Sequence, residues 1–369
     1  MVRELSPRVV LAGGGTAGHI EPALAVAESL RKLSPSLDIE FLGTDSGLER
    51  LLVPQRGYVL RTIPKVVMPR RISLGLIRFP ISLIESILKA RKVLKGATCL
   101  IGFGGYVSAS AYLGAKLAGV PIALHEANAK PGWANRLGRH VADVVAVNFQ
   151  KVQRDWPGSI LTGMPIRNSL TELTKLSEAE LRKFRELHAK SWNFDPDKAI
   201  VAVFGGSQGS AHINSAISEY LQHADSEIQI IHAVGINHAL PSATSDYLPM
   251  PYFHDMAAIY GSADLLITRS GAVTCSELMT VGRSAILVPL PHGNGEQIDN
   301  AAALVEQGLA TSVDNESFTG TWLKQNLLGA VRDAQSRVIK PTGLHLAAAD
   351  RIAELVWNTF GRSAGANRD

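Results

Sequence analysis

Four times in this chain a short β-branched run ends in glycines and gives way to an amphipathic stretch. The first instance reads as a buried strand over residues 8–12, then Gly13-Gly14-Gly15-Thr16-Ala17-Gly18, then a helix over residues 22–32 with Pro22 in its first turn. A second strand over residues 38–42 completes a βαβ unit. Further strands are expected at residues 99–102, 122–125 and 144–147, with a helix over 107–118. A charged helix over residues 177–190 intervenes, and the pattern restarts at residues 199–204 before the loop Gly205-Gly206-Ser207-Gln208-Gly209. Strands at 229–233, 265–268 and 285–288 follow, with helices starting at Met256, Ala272 and Gln297. Repeated crossovers of this kind make parallel sheets covered by helices on both faces, so the fold class is α/β.

A length of 369 residues fits two domains of about 150 residues each. The boundary is expected at residues 163–165, giving domains over 1–163 and 164–343. The C-terminal segment 344–369, with a helix over about 344–359, can pack on either. In open α/β sheets ligands sit beyond the carboxyl ends of the strands, so the glycine loops of both domains are expected to line a cleft.

Charge separates the halves. Residues 1–163 hold 21 Lys/Arg against 11 Asp/Glu, net +10, whereas 164–369 hold 16 against 22, net −6. A basic half suits phosphorylated substrates, an anionic membrane surface or nucleic acid. Nucleic acid is disfavoured by the lack of an aromatic stacking platform or reading helix. Residues 64–94 set Lys65, Arg70, Arg71, Arg78, Lys89, Arg91 and Lys92 beside Leu74, Leu76, Ile77, Phe79, Ile81, Leu83 and Ile84. That pairing can seat a protein on anionic lipid heads, or it is a basic loop followed by a core helix. No apolar run has the roughly 18 residues of a membrane span, and residues 1–10 lack a secretory pattern, so export is not expected. Cys99 and Cys275 are too few for a disulfide framework and fit a reducing cytoplasm.

The glycine loops carry the chemistry. Glycine permits close backbone approach, and a following helix N-terminus offers free N–H groups to a phosphate. Gly13, Gly15 and Gly18 also satisfy the dinucleotide pattern, with Glu40 placed 22 residues beyond Gly18 as a ribose-binding acid, so a dehydrogenase is a rival. His19 follows at a positive dipole end that favours its neutral form, which makes it a candidate base; a packing histidine is the alternative. Gly102 to Ser108 can form a second anion loop with Tyr106 at its mouth, or it is a structural turn. In the second half, amides near Ala272 and Val273 suit a diphosphate, and Glu277 can accept both hydroxyls of a ribose. Arg167 can neutralise a leaving phosphate. No metal-ligand pattern and no P-loop occurs; Gly205 to Gly209 formally matches a hydrolase nucleophile elbow but leaves the other loops unexplained.

Together these segments resemble the MurG family of bacterial glycosyltransferases. The resemblance rests on residues 13–22, Gly104-Gly105-Tyr106-Val107-Ser108, His125-Glu126-Ala127-Asn128, Gly163-Met164-Pro165-Ile166-Arg167, residues 205–209 and residues 269–277, in order along nearly the whole chain. It implies a GT-B fold of two Rossmann-like domains, the N-terminal one for the acceptor and the C-terminal one for the UDP-sugar. The implied reaction is metal-independent, inverting transfer of N-acetylglucosamine from UDP-N-acetylglucosamine to a lipid-pyrophosphate acceptor at the cytoplasmic membrane face, in peptidoglycan synthesis, with no cofactor. By position it implies that Thr16, Ala17 and Gly18 line the transfer site and that Asn128 contacts a sugar. Arg167 and Ser207 hold donor phosphate, and Phe253 offers backbone groups to uracil. Ala272, Val273, Thr274, Cys275, Ser276 and Glu277 hold diphosphate and ribose, and Gln297 contacts the sugar. Two positions depart from the family pattern: Ala17 stands where glycine is usual, and Glu296 precedes Gln297 where a glutamine pair is usual.

Overall fold

A computed structural model describes residues 7–66, 74–222, 227–291, 294–337 and 343–361. Its contacts divide the chain into two units, Met1–Arg167 with Leu344–Asp369, and Asn168–Gly343.

The first unit runs β1 (Arg8–Ala12), α1 (Ala17–Leu33), β2 (Asp38–Gly43), α2 (Glu49–Gln55), β3 (Val59–Thr62), α3 (Leu74–Leu94), β4 (Cys99–Gly102), α4 (Gly105–Ala118), β5 (Ile122–Glu126), α5 (Trp133–Gly138), β6 (Val144–Val147), α6 (Gln150–Asp155) and β7 (Ile160–Leu161). Its seven strands are all parallel in the order β3-β2-β1-β4-β5-β6-β7. The period-2 alternation of β1 explains why its apolar run is unbroken. Val9 and Leu11 enter one core with α1, while Val10 and Ala12 enter the opposite core with α4.

The second unit runs α7 (Asn168–Leu173), α8 (Glu178–Ser191), β8 (Ala199–Phe204), α9 (Ala211–Leu221), β9 (Ile228–Ala233), β10 (Tyr247–Met250), α10 (Met256–Ser262), β11 (Leu265–Thr268), α11 (Ala272–Val281), β12 (Ser284–Leu287), α12 (Glu296–Glu306), β13 (Ala310–Ser312) and α13 (Gly320–Ser336). Its six-stranded sheet, β10-β9-β8-β11-β12-β13, repeats the winding of the first. The chain then returns to unit 1 as α14 (Ala348–Val356), where Ile352, Ala353 and Val356 join the α1 core.

Residues 164–167 stay with unit 1 because their approach is clamped. The His125 ring lies 3.0 Å from the Gly163 carbonyl, the Met164 N–H donates to His345 Nδ1 at 3.0 Å, and Arg351 donates to the Thr162 carbonyl at 2.7 Å. One expectation from the sequence is corrected: α1 begins at Ala17, not at Pro22, so the proline lies inside the helix. Thr16, in extended conformation, starts the helix, and the Thr16 carbonyl accepts from the amides of His19 and Ile20 at 3.2 and 3.4 Å.

Candidate active site

In each sheet the order reverses beside its first strand, between β1 and β4 and between β8 and β11. Such switch points open a crevice beyond the strand ends. In unit 1 the loops leaving β1 and β4 meet there. The Ser108 hydroxyl lies 2.7 Å from the Gly104 carbonyl and 3.0 Å from that of Ala12, and the Phe103 N–H donates to Ala12 at 2.8 Å. Gly15, Gly104 and Gly105 have φ of +89°, +88° and +80°.

His19, the third residue of α1, packs its ring against this second loop. A Cβ at Gly104 would stand 3.4 Å from His19 Nε2, and one at Gly105 would stand 3.3 Å from Nδ1 and 3.1 Å from the Gly14 carbonyl. Both glycines therefore serve a positive φ and a close ring contact. The same geometry puts the Nδ1 edge beside the Gly14 carbonyl, with Thr16 Oγ1 at 3.3 Å. Donation from Nδ1 leaves Nε2 with its lone pair. Burial lowers the imidazole pKa, opposed by the Gly14 hydrogen bond and the charge of Glu49. An imidazole held neutral in this way can accept a proton.

Asn128 lies on a carboxylate hub. Glu126, buried at the end of β5, accepts from the Asn128 N–H at 2.8 Å, the Gly132 N–H at 3.2 Å and the Asn135 side chain at 3.0 Å. Asn135 in turn accepts from the Tyr112 hydroxyl at 2.8 Å. Burial pushes the Glu126 carboxyl up, and these donors work against it. The sequence marks Glu126 only as part of a motif and does not mark Asn135, which has no local pattern to single it out. Tyr106 is exposed on the second residue of α4, with its ring 5.8 Å from that of Trp133. Arg167 lies 3.8 Å from Glu21 of α1.

The second unit repeats the arrangement with different chemistry. Ser207 is half-buried in the turn that leaves β8, where Gly206 and Gly209 have φ of +94° and +74°. α9 starts only at Ala211, so the six intervening residues are not the sharp strand-to-helix turn of a nucleophile elbow. Phe253 is buried edge-on against Phe204, so its side chain belongs to the core. α11 opens from Gly271 in extended conformation. The Cys275 N–H is already bonded to the Gly271 carbonyl at 2.9 Å, so the anion-ready amides are those of residues 271–274. The side chains of Cys275 and Ser276 point into the core, and burial pushes the Cys275 thiol up to about 12. Glu277 is also buried, one oxygen accepting from the Tyr260 hydroxyl at 3.1 Å. Gln297, in the first turn of α12, uses its side-chain oxygen to accept the Leu290 N–H at 3.0 Å. Glu296 accepts the Asn294 N–H at 3.2 Å, which gives the unusual residue a role in its own turn.

Glu40 does not sit where a ribose-binding acid would. It is the third residue of β2, beside Val10 in register, and is held by Arg8 at 2.7 Å and Arg61 at 2.6 Å. Burial opposes its ionisation, but these two guanidinium groups hold its carboxyl below the ordinary value. The dinucleotide reading loses its acid. Arg70 and Arg71 lie outside the described residues, as do the side chains of residues 74–78. Among the described residues no group of three His, Cys, Asp or Glu is placed to hold a metal, and no helix is long and apolar enough to cross a membrane.

Two Rossmann-like units, each with glycine-rich loops at the switch point of its sheet, define the GT-B class. Residues 9–147 match the glycosyltransferase family 28 N-terminal domain, and residues 200–356 match the family 28 C-terminal domain. The chain belongs to the MurG family. It is 43% identical over 362 residues to the UDP-N-acetylglucosamine--N-acetylmuramyl-(pentapeptide) pyrophosphoryl-undecaprenol N-acetylglucosamine transferase of Corynebacterium diphtheriae, covering 96% of this chain and 97% of that protein. Among solved structures it is similar to Acinetobacter baumannii MurG, with 25% identity and a TM-score of 0.66 over 95% of this chain and 99% of that one. Medicago truncatula UGT71G1 complexed with UDP-glucose shares the fold, with 14% identity and a TM-score of 0.62 over 95% and 98% of the two chains.

Proposed function

We propose that this protein moves N-acetylglucosamine from UDP-N-acetylglucosamine to the 4-hydroxyl of the N-acetylmuramyl group of undecaprenyl-pyrophosphoryl-N-acetylmuramyl-pentapeptide, with inversion at the anomeric carbon. The observation that carries this reading is the near full-length likeness to transferases of that name, joined to glycine loops in both units and a neutral histidine beside one of them.

His19 Nε2 takes the proton of the attacking hydroxyl, the oxygen bonds to the anomeric carbon, and the sugar–phosphate bond breaks with its electron pair leaving on UDP. Thr16, Ala17, Gly18, Tyr106 and Asn128 hold the acceptor. Ser207, Arg167 and the amides of residues 271–274 take up the negative charge of departing UDP, an electrostatic task that fixed backbone dipoles perform without reorganising. The Phe253 backbone reads uracil, Glu277 the ribose, and the Gln297 amide nitrogen a sugar hydroxyl.

The acceptor's lipid implies a bilayer surface, and α3 supplies a face for one. Ile81, Ile84, Leu88, Lys92 and Lys95 fall on one stripe of the helix and its end, all exposed, with Ile81 at 68%. An apolar stripe that ends in lysines suits anionic lipid heads at the cytoplasmic face, as a peripheral contact.

Incubation with radiolabelled UDP-N-acetylglucosamine and a short-chain lipid acceptor should place label in the lipid product through a β-linkage. Label that stays in the nucleotide, or transfer only from another UDP-sugar, rejects the assignment.

A further inference from the structure

Glu49, the first residue of α2, lies wholly buried beneath the β1 loop. One carboxylate oxygen accepts from the Thr44 N–H at 2.9 Å and the Thr44 hydroxyl at 2.7 Å; the other accepts from the Gly15 N–H at 3.0 Å. Three glycines make room for it. A Cβ at Gly14 would stand 2.7 Å from Glu49 Oε1, one at Gly43 would stand 2.6 Å from Cγ, and one at Gly47 would stand 2.0 Å from Oε2. A buried carboxylate is costly to keep, and space-filling alone would be met by an apolar residue.

Gly14 stands between this carboxylate and His19: its Cβ position lies 2.7 Å from Glu49 Oε1, and a Cβ at Gly105 would meet both the Gly14 carbonyl at 3.1 Å and His19 Nδ1 at 3.3 Å. Around that ring stand Thr16, the Gly14 carbonyl and the Gly104 and Gly105 backbones. Of the other nearby carboxylates, Glu126 on β5 is occupied by Asn128, Gly132 and Asn135, and Glu21 on α1 faces Arg167 and Arg56. Burial lowers the imidazole pKa, and the Gly14 hydrogen bond and then the charge of Glu49 work against it.

We propose that Glu49 is a positioning residue for the transfer reaction: it holds the β1 loop through the Gly15 amide and balances the charge His19 acquires on taking the acceptor's proton. The inference rests on His19 being the base. That proton later leaves Nε2 for solvent and the imidazole returns to neutral.

The test is Glu49→Gln in the full chain, read by NMR titration of the histidine rings and by kcat and KM against pH. The His19 midpoint should fall, and the acid limb of kcat/KM should move to lower pH with it. kcat should drop about tenfold or more while both KM values stay within about twofold. On a His19→Ala background the same change should lower kcat by much less, since only the loop contact through the Gly15 amide is then lost. An unmoved midpoint, or an equal loss on that background, overturns the proposal. A lowered midpoint with an unmoved acid limb overturns the part Glu49 plays in catalysis. If Glu49→Gln does not fold, Glu49→Asp replaces it: charge is kept and reach shortened, so kcat should fall several-fold with the His19 midpoint near its original place, and full kcat overturns the proposal. Absence of transfer by the unaltered protein would reject the assigned reaction, and the NMR midpoint would still decide whether Glu49 acts on His19.

Discussion

Arg269 donates to the Ser210 hydroxyl at 2.7 Å and so ties the loop after β11 to the loop after β8, across the switch point of the second sheet. The same guanidinium reaches the carbonyls of Val288 and Pro289 at 3.0 and 3.2 Å and Asn315 Oδ1 at 2.7 Å. It is buried, and that burial lowers its pKa. Ser210 in turn caps α9 by accepting the Ile213 N–H. One buried cation thus fixes two loops assigned to the donor. Arg269→Leu should destabilise the protein by about 2 kcal/mol or more, because several acceptors lose their partner. It should also raise the KM for UDP-N-acetylglucosamine more than that for the acceptor. Urea unfolding and steady-state kinetics check this, and equal effects on both KM values would count against it.

His19→Ala should lower kcat by about 10² to 10⁴ with little change in either KM, as removal of a general base requires. Turnover retained within a few-fold would return His19 to the role of a packing residue.

The exposed stripe on α3 gives a prediction that does not depend on chemistry. Ile84→Glu with Leu88→Glu should weaken binding to vesicles containing anionic lipid and leave the thermal unfolding midpoint nearly unchanged, since surface substitutions away from packed features cost about 0.5 kcal/mol or less. Binding to these vesicles should also fall as salt rises, because screening acts on the lysines. Unaltered vesicle binding would move the membrane contact elsewhere on the protein.

The strands that line the switch points are legible in the sequence because each is buried on both faces and reads as a continuous apolar run, as in residues 199–204. The outer strands are not. β7 has only two residues, β13 reads Ala-Thr-Ser, and β10 carries Pro249, which an edge strand tolerates and a central one does not. Of the site, the loops declare themselves through glycine spacing, and His19 through its place after one of them. Glu49 and Asn135 do not, because their contacts reach across to other loops and strands: Glu49 to Gly15 and Asn135 to Glu126. Cys275 and Ser276 separate from the open end of α11 only once the helix phase is known.

Two glycines of one turn separate backbone strain from steric overlap. Gly206 has φ of +94° and open space where a Cβ would stand, whereas Gly209 has φ of +74° and a Cβ there would fall 2.1 Å from the Val234 carbonyl oxygen. Gly206→Ala should cost about 1 kcal/mol, the strain of a left-handed alanine. Gly209→Ala should cost clearly more, because the Val234–Gly235 backbone just after β9 must shift as well. Urea midpoints for the pair give the comparison, and equal losses would mean that the turn relaxes freely.

Acid should loosen the fold in a defined window. Burial holds His125, His232 and His345 neutral and moves each from 6.5 down to about 4; for His345 the charge of Arg351 adds to this. In the unfolded chain these rings take up protons as pH falls through 6.5, while the folded protein resists until about 4. Between those values the unfolded state binds more protons, so stability falls as pH falls. The contribution is complete above 6.5 and gone near 4. Two of the three, His125 and His345, clamp residues 163–164 to unit 1, so unit 1 should lose more of its stability than unit 2 over this range. His125→Gln removes one titrating ring and should flatten the dependence of the urea midpoint on pH, even where it lowers the midpoint at neutral pH. An unaltered protein whose midpoint stays constant from about pH 6.5 to 4.5 would show that these rings titrate alike in both states.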